Sequence, residues 1–442
     1  MELKDLIVTP VFFLLILILA YWIRPMVTDS VTRRYFYPAL ILRLIGAIML
    51  GVIYQFYYDG GDTFNYHSHG SRHLWEALMD SPSTGIRLFF ANGVIPEGTF
   101  AYASKIYFIR DPASFSVIQI ATIFDILTFS TYSATALLFA VFSFAGAWMF
   151  FLTFYRLYPH LHKPLAIASF FIPSVFFWGS GILKDTIVMA CLGFATYFIH
   201  ELFIRRRFNI FYLIGLVYSL FIIFSVKKFA LQAFLPAVIV WIMAENFALA
   251  RSLVLKIMLV PFLIGIMLLS AYFAVVKVGE NDSKYSLGRM AETARVTAYD
   301  IRYWTGRDAG SGYSLGELDG TFASILRLSP AAINVSLYRP YLWEVKNPLM
   351  AVSAVESVSF LIVTILVLSK AKFRIFKSLK NPNALFCLLF SLTYALAVGV
   401  STFNFGSLAR YKIPLMPFFI IALVILYNDG KIRTNQEVNK DR

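Results

Sequence analysis

"LIVTPVFFLLILILAYWI", Leu6 to Ile23, is an apolar run without a single charge, close to the roughly 20 residues an α-helix needs to cross the hydrocarbon of a bilayer. No basic leader precedes it and no small-residue cleavage site follows, so it reads as a retained transmembrane helix and not as a signal peptide. Runs of the same kind occupy residues 37–55, 134–155, 164–180, 181–203, 209–225, 229–246, 253–276, 347–369, 384–402 and 411–427. That predicts about eleven helices. A bilayer offers backbone groups no hydrogen-bond partners, and these runs are too long for barrel strands, so the expected class is an all-α polytopic membrane protein. Composition agrees. The 442 residues are 59% hydrophobic and 14% charged, against roughly 45–50% apolar usage in soluble domains.

The formal charge of +14 does not form one basic stripe, which argues against a nucleic-acid partner. The cations fall between the apolar runs instead. Arg24, Arg33 and Arg34 follow the first run, Arg156 and Lys163 the third, and Arg205, Arg206 and Arg207 the fifth. Arg251 and Lys256 follow the seventh, "KAKFRIFKSLK" the ninth, and a basic tail the last. Under the positive-inside rule every odd-numbered helix then ends in the cytoplasm. The expectation is a multi-pass cell (inner) membrane protein with its amino terminus outside and its carboxyl terminus cytoplasmic. It requires the apolar stretch 113–129 to lie on the membrane surface without crossing. Cys191 and Cys387 sit inside apolar runs, so no exposed disulfide framework is expected.

This orientation puts the unusual residues on one side. A single polytopic domain, 1–442, carries a first outer loop at 56–133 with amphipathic, interfacial helices, a long outer segment at 277–346, and a cytoplasmic tail at 428–442. The first outer loop opens with "YYDGGDTFNYHSHG", residues 57–70. Gly60 and Gly61 allow a sharp turn that can aim Asp59 and Asp62 back towards the membrane mouth. Either carboxylate could serve as a general base for an acceptor hydroxyl, and Asp62 or Thr63 could equally start the next helix. His67 and His69, with His73, could hold a divalent metal together with these acids, although no HExxH or D-x-D pattern is present. No cofactor is otherwise indicated.

In "PSVFFWGSGILKDTIVM", Lys184 and Asp185 begin a helix after a Gly-Ser-Gly hinge, where backbone N–H groups and an ammonium would suit a lipid phosphate. Lys227 and Lys228 enlarge that positive charge. Arg339 stands among Tyr338, Tyr341 and Trp343, an aromatic-basic cluster suited to a sugar face or a headgroup, or to an aromatic belt. Glu356 and Arg43 are ionisable residues inside apolar runs and call for partners.

The last constellation is "ARYKIPLMPFFIIAL", with Arg410, Tyr411, Pro414 and Pro417. It resembles a feature of bacterial members of the GT-C superfamily, integral-membrane glycosyltransferases that use polyprenyl-phosphate-linked sugars. The resemblance extends to the layout of spans and to an acidic first outer loop, and it implies a GT-C-like fold. It also implies a catalytic base at Asp59 or Asp62 and contact of Arg410 with the lipid phosphate. The implied partners are membrane lipids, a polyprenyl-linked sugar donor and a glycan or lipid-linked acceptor. The chain departs from the family in lacking an adjacent acidic pair. The charges around "GSGILKD" also look like polysaccharide polymerases of the Wzy and EpsG kind. A transporter or flippase is the rival from another class, and it predicts broken helices and ionisable residues within the membrane.

Overall fold

The computed structural model describes residues 2–91, 93–249, 311–315, 322–371 and 380–438. The expected span at 253–276, the loop cations Arg251 and Lys256, residues 372–379 of the loop after 347–369, and residues 277–310 and 316–321 of the outer segment 277–346 lie outside the described residues. Among those described, the chain is helical and no strand is formed; Gly312 and Asn404 make one isolated β-bridge. Seven helices are long and apolar enough to cross a membrane, and eight spans result if one helix pair bent by 65° is counted as a single crossing.

In chain order the helices are α1 (Leu3–Val27), α2 (Arg33–Phe56), α3 (Asp62–Tyr66), α4 (Arg72–Asp80), α5 (Pro82–Phe89), α6 (Phe100–Ala103) and α7 (Pro112–Thr128). Then follow α8 (Tyr132–Leu157), α9 (His162–Phe170), α10 (Pro173–Trp178), α11 (Lys184–Ile199), α12 (Ile210–Val226) and α13 (Lys228–Leu249). The last five are α14 (Phe322–Tyr338), α15 (Pro348–Ala371), α16 (Pro382–Ser401), α17 (Phe405–Tyr411) and α18 (Met416–Val438). They group into two compact units: residues Met1–Phe198 with Ile210–Lys227, and Ile199–Asn209 with Lys228–Arg442.

In the first unit α2 runs antiparallel to α8. Tyr35 near the start of α2 meets Phe151 near the end of α8, and a Cβ on Gly51 would lie 2.6 Å from the Tyr132 ring. The helices α8 and α11 run parallel and touch backbone to backbone: Cβ atoms added to Gly146 or Gly193 would fall inside the opposing main chain. Small residues are what permit such approach between membrane helices, where dispersion replaces the hydrophobic drive.

The expected continuous span at 164–180 is corrected. It is two short helices, α9 and α10, interrupted at Phe171–Ile172, and the chain is non-helical again at 179–183. Pro173 disfavours helical geometry in Ile172 and lacks the N–H that would continue the ladder. The second break is fully buried, and its backbone is held by side chains: Arg43 Nη1 and Ser143 Oγ both donate to the Gly179 carbonyl, at 2.9 and 2.5 Å. Irregular backbone at such depth survives where protein groups satisfy it.

In the second unit α16 is central, packed on α13, α14 and α18. Its Phe386 stacks on Trp241 at 4.4 Å, while the Trp241 indole donates to Asn383 Oδ1. The helix α14 lies in the stretch read from sequence as an outer polar segment. It is packed against α16, with Ser336 Oγ donating to the Ala395 carbonyl. The expected span at 411–427 begins late, since the chain bends between α17 and α18 around Pro414.

Candidate functional site

The first unit has two chemically distinct ends. At one, Arg24, Arg33, Arg34, Arg156 and Lys163 gather with His162. At the other, the end of α2 meets the starts of α1, α8 and α11 and the end of α12, and here lie Asp59, Asp62, Lys184, Asp185 and Lys227. Both ends of α7 belong to this second, mixed-charge end. Asp111, which caps its start, contacts Lys184, and the Ser130 carbonyl just beyond its end accepts from Lys4 Nζ.

Asp59, Gly60 and Gly61 take φ of 53°, 121° and 123° in succession as the chain leaves α2. Aspartate is among the few side chains that tolerate the left-handed region, and the turn leaves Asp59 exposed. Asp62 starts α3, where a carboxylate meets the positive helix end, and it is half-buried. Thr63 beside it hydrogen-bonds to Tyr132 OH at 2.8 Å in the buried interior.

The three histidines separate. His67 is fully buried with Nε2 3.3 Å from Asp125 Oδ1, although not in hydrogen-bonding geometry, and Asp125 Oδ1 also accepts from Thr135. His69 is exposed, and His73 Nδ1 contacts Glu76 at 2.9 Å. Among the described residues no group of three or more His, Cys, Asp or Glu side chains is placed to share a metal. Asp125 escaped the sequence reading. A lone acid in an apolar run whose partner lies 58 positions upstream leaves no spacing signal.

The cations of this end are paired. Lys184 Nζ lies 3.4 Å from Asp111 Oδ2, both partly open to solvent. Burial raises the Asp111 carboxyl, but the Ser114 hydroxyl and the Lys184 charge outweigh it and hold it below the ordinary carboxylate range. Lys227 makes an ion pair with Asp185 in which both side chains are buried.

The chain matches no protein-family model, no curated protein and no solved structure.

The remaining candidates belong to the second unit. Lys228 is half-buried at the start of α13. Arg339 is committed to Glu344: its Nε donates to both carboxylate oxygens at 3.1 and 3.0 Å, and Nη2 donates to one of them. Its guanidinium carbon stands 5.5, 5.9 and 5.3 Å from the ring centres of Tyr313, Tyr341 and Phe405. Burial raises the Glu344 carboxyl, yet the bond from Arg339 holds it below the ordinary range. Arg410 is half-buried, with its guanidinium 5.1 Å from the Tyr411 ring centre. Lys412, in the bend between α17 and α18, is buried and donates to Ser357 Oγ at 3.1 Å and to the Arg339 carbonyl at 3.4 Å. It is near enough to the buried Glu356 for the two charges to interact. Glu356 and Arg43, the two intramembrane oddities of the sequence, therefore have different neighbours and lie in different units.

Proposed function

We propose that this protein is a membrane glycosyltransferase of the GT-C kind, moving a sugar from a polyprenyl-phosphate-linked donor to an acceptor hydroxyl at the outer face of the cell membrane. The proposed topology has eleven crossings, counting the broken one and 253–276, with the amino terminus outside and the carboxyl terminus in the cytoplasm. Asp59 or Asp62 acts as the general base. Lys184 meets the leaving phosphate, whose charge grows in the transition state, and a lipid-phosphate contact for Arg410 is what the family resemblance implies. Lys227, already paired with Asp185, holds the frame of this end.

The supporting observation is the acidic turn at Asp59–Gly61, which shares the mixed-charge end of the first unit with the solvent-open Lys184–Asp111 pair. A base and a displaceable cation are what the two halves of such a transfer need. The test is product formation in cells carrying Asp59→Asn, Asp62→Asn or Arg410→Gln, with membrane levels checked. Loss of a surface glycan with accumulation of its polyprenyl-linked precursor supports the reading. Normal glycans from all three well-inserted variants overturn it. A polymerase of the Wzy or EpsG kind would instead accumulate unpolymerised repeat units.

A lipid or solute transporter is the second reading, favoured by the broken crossing at 171–183, the 65° bend at Lys412 and the buried charges beside both. Translocation of a labelled lipid-linked sugar by the protein in vesicles, without product, would favour it.

A further inference from the structure

The arginine end of the first unit carries charge that its own carboxylates do not answer. Arg33 and Arg34 occupy the first turn of α2, and His162 and Lys163 the first turn of α9; neither turn contains an acid. Cations at a helix start oppose the helix dipole, which favours negative charge there. The two starts are drawn together. Arg34 Nη2 lies 3.2 and 3.3 Å from the two ring nitrogens of His162, and Tyr35 OH lies 2.7 Å from His162 Nδ1. Arg24 from the end of α1 donates to the Arg33 carbonyl at 2.9 Å.

Within 24–37, 155–163, 195–198 and 210–213, the stretches of this unit that form the end, Asp29 is the single acid. Its Oδ1 already accepts from Val31 N, Thr32 N and Thr32 Oγ1. Arg33, Arg34 and Lys163 are exposed. Burial, then the charges of Arg34 and Lys163, hold His162 below its ordinary range, as expected where cations crowd an imidazole with no anion among them. At the same level Tyr21, Trp22 and Met26 of α1 stand 69, 72 and 84% exposed, the place of side chains that meet lipid at the headgroup layer.

We infer that Arg34 and Lys163, with His162 between them and Arg33 next to Arg34 in the first turn of α2, form a binding site for the phosphate of an anionic phospholipid. Basic pockets between helix ends on one side of a membrane are suited to such headgroups, and each cation near the surface contributes on the order of 1 kcal/mol. A lipid phosphate answers three features together: it supplies the missing negative charge at two helix starts, separates Arg34 from His162, and is tethered where apolar side chains already face the hydrocarbon. The inference is independent of the transferase reading, since the site lies at the opposite end of the unit.

The test uses the full chain purified in a neutral detergent, with thermal unfolding followed as phosphatidylglycerol, phosphatidylcholine or inorganic phosphate is titrated in. Phosphatidylglycerol alone is expected to raise the midpoint. In Arg34→Gln/Lys163→Gln its apparent affinity should fall about thirtyfold, from two cations at that contribution each. Arg34→Lys/Lys163→Arg should keep most of it, and Lys4→Gln, at the other end, should change nothing. Equal effects of phosphatidylcholine and phosphatidylglycerol on the wild-type chain overturn the site, and that comparison needs no variant. Inorganic phosphate acting as well as phosphatidylglycerol would assign the cations to a free anion and overturn the lipid. Unchanged phosphatidylglycerol affinity in the double Gln variant overturns it too.

Discussion

Arg43 Nη1 lies 2.9 Å from the carbonyl oxygen of Gly179, so a guanidinium in the middle of α2 fastens the break between α10 and α11. Its Nε and Nη2 have no hydrogen-bond partner among the described residues, and Ser143 shares the same carbonyl. A buried, half-bonded cation is costly, and an apolar side chain of similar length removes that cost. Arg43→Met should therefore leave the thermal midpoint unchanged or raised. Arg43→Met/Ser143→Ala should lose about 1–3 kcal/mol, because the Gly179 carbonyl is then buried without either donor. Denaturation of the two variants in detergent checks both halves.

Gly146→Ala and Gly193→Ala each push a methyl group into the opposing main chain of α11 or α8. The helices must separate, and a loss of about 1–3 kcal/mol follows from overpacking. Thermal unfolding measures it, with Gly60→Ala as a contrast. A Cβ at Gly60 meets nothing within 4 Å, so only its φ of 121° opposes the change.

Lys227 and Asp185 are buried together. Lys227→Met alone should destabilise by about 3–5 kcal/mol, since it takes the paired cation from a buried carboxylate, whereas Lys227→Met/Asp185→Leu should recover most of that. An active double variant would show that the pair serves only to hold the start of α11 and the end of α12 together.

Acid should loosen Asp111 and Glu344. Both carboxyls are held below their ordinary values of 3.8 and 4.5, so the unfolded chain takes up their protons first. Their contributions are complete above those values and are lost as pH falls through the lower folded-state pKa. In a pH series, the wild-type midpoint should drop more steeply below about pH 4 than those of Asp111→Asn and Glu344→Gln.

Seven of the predicted spans are helices long and apolar enough to cross, and the one at 209–225 is the continuous but shorter α12. The 164–180 run was misjudged because hydropathy is blind to Pro173, Gly179 and Gly181, which break the ladder without adding charge. The mixed-charge end was legible to the extent that topology is: Asp59, Asp62, Lys184 and Lys227 could be assigned to one side from the arginines alone. Their partners could not. Asp111 reaches Lys184 across 73 positions and Asp185 reaches Lys227 across 42, and such closures depend on how helices pack. Lys412 passed unremarked beside Arg410 and Tyr411, because burial of a lysine at a bend is a property of the fold and not of the local pattern.

The interrupted stretch 164–183 also constrains how the chain assembles during synthesis. With 9 and 6 residues, α9 and α10 extend about 13 and 9 Å, well short of the roughly 30 Å of hydrocarbon. Neither piece can be released into lipid by itself. The side chains that satisfy the second break, after α10, are Arg43 and Ser143, which belong to helices made earlier than Gly179. Insertion of this segment is therefore a docking event onto finished helices, and the order of the chain supplies the receptor before the part that needs it.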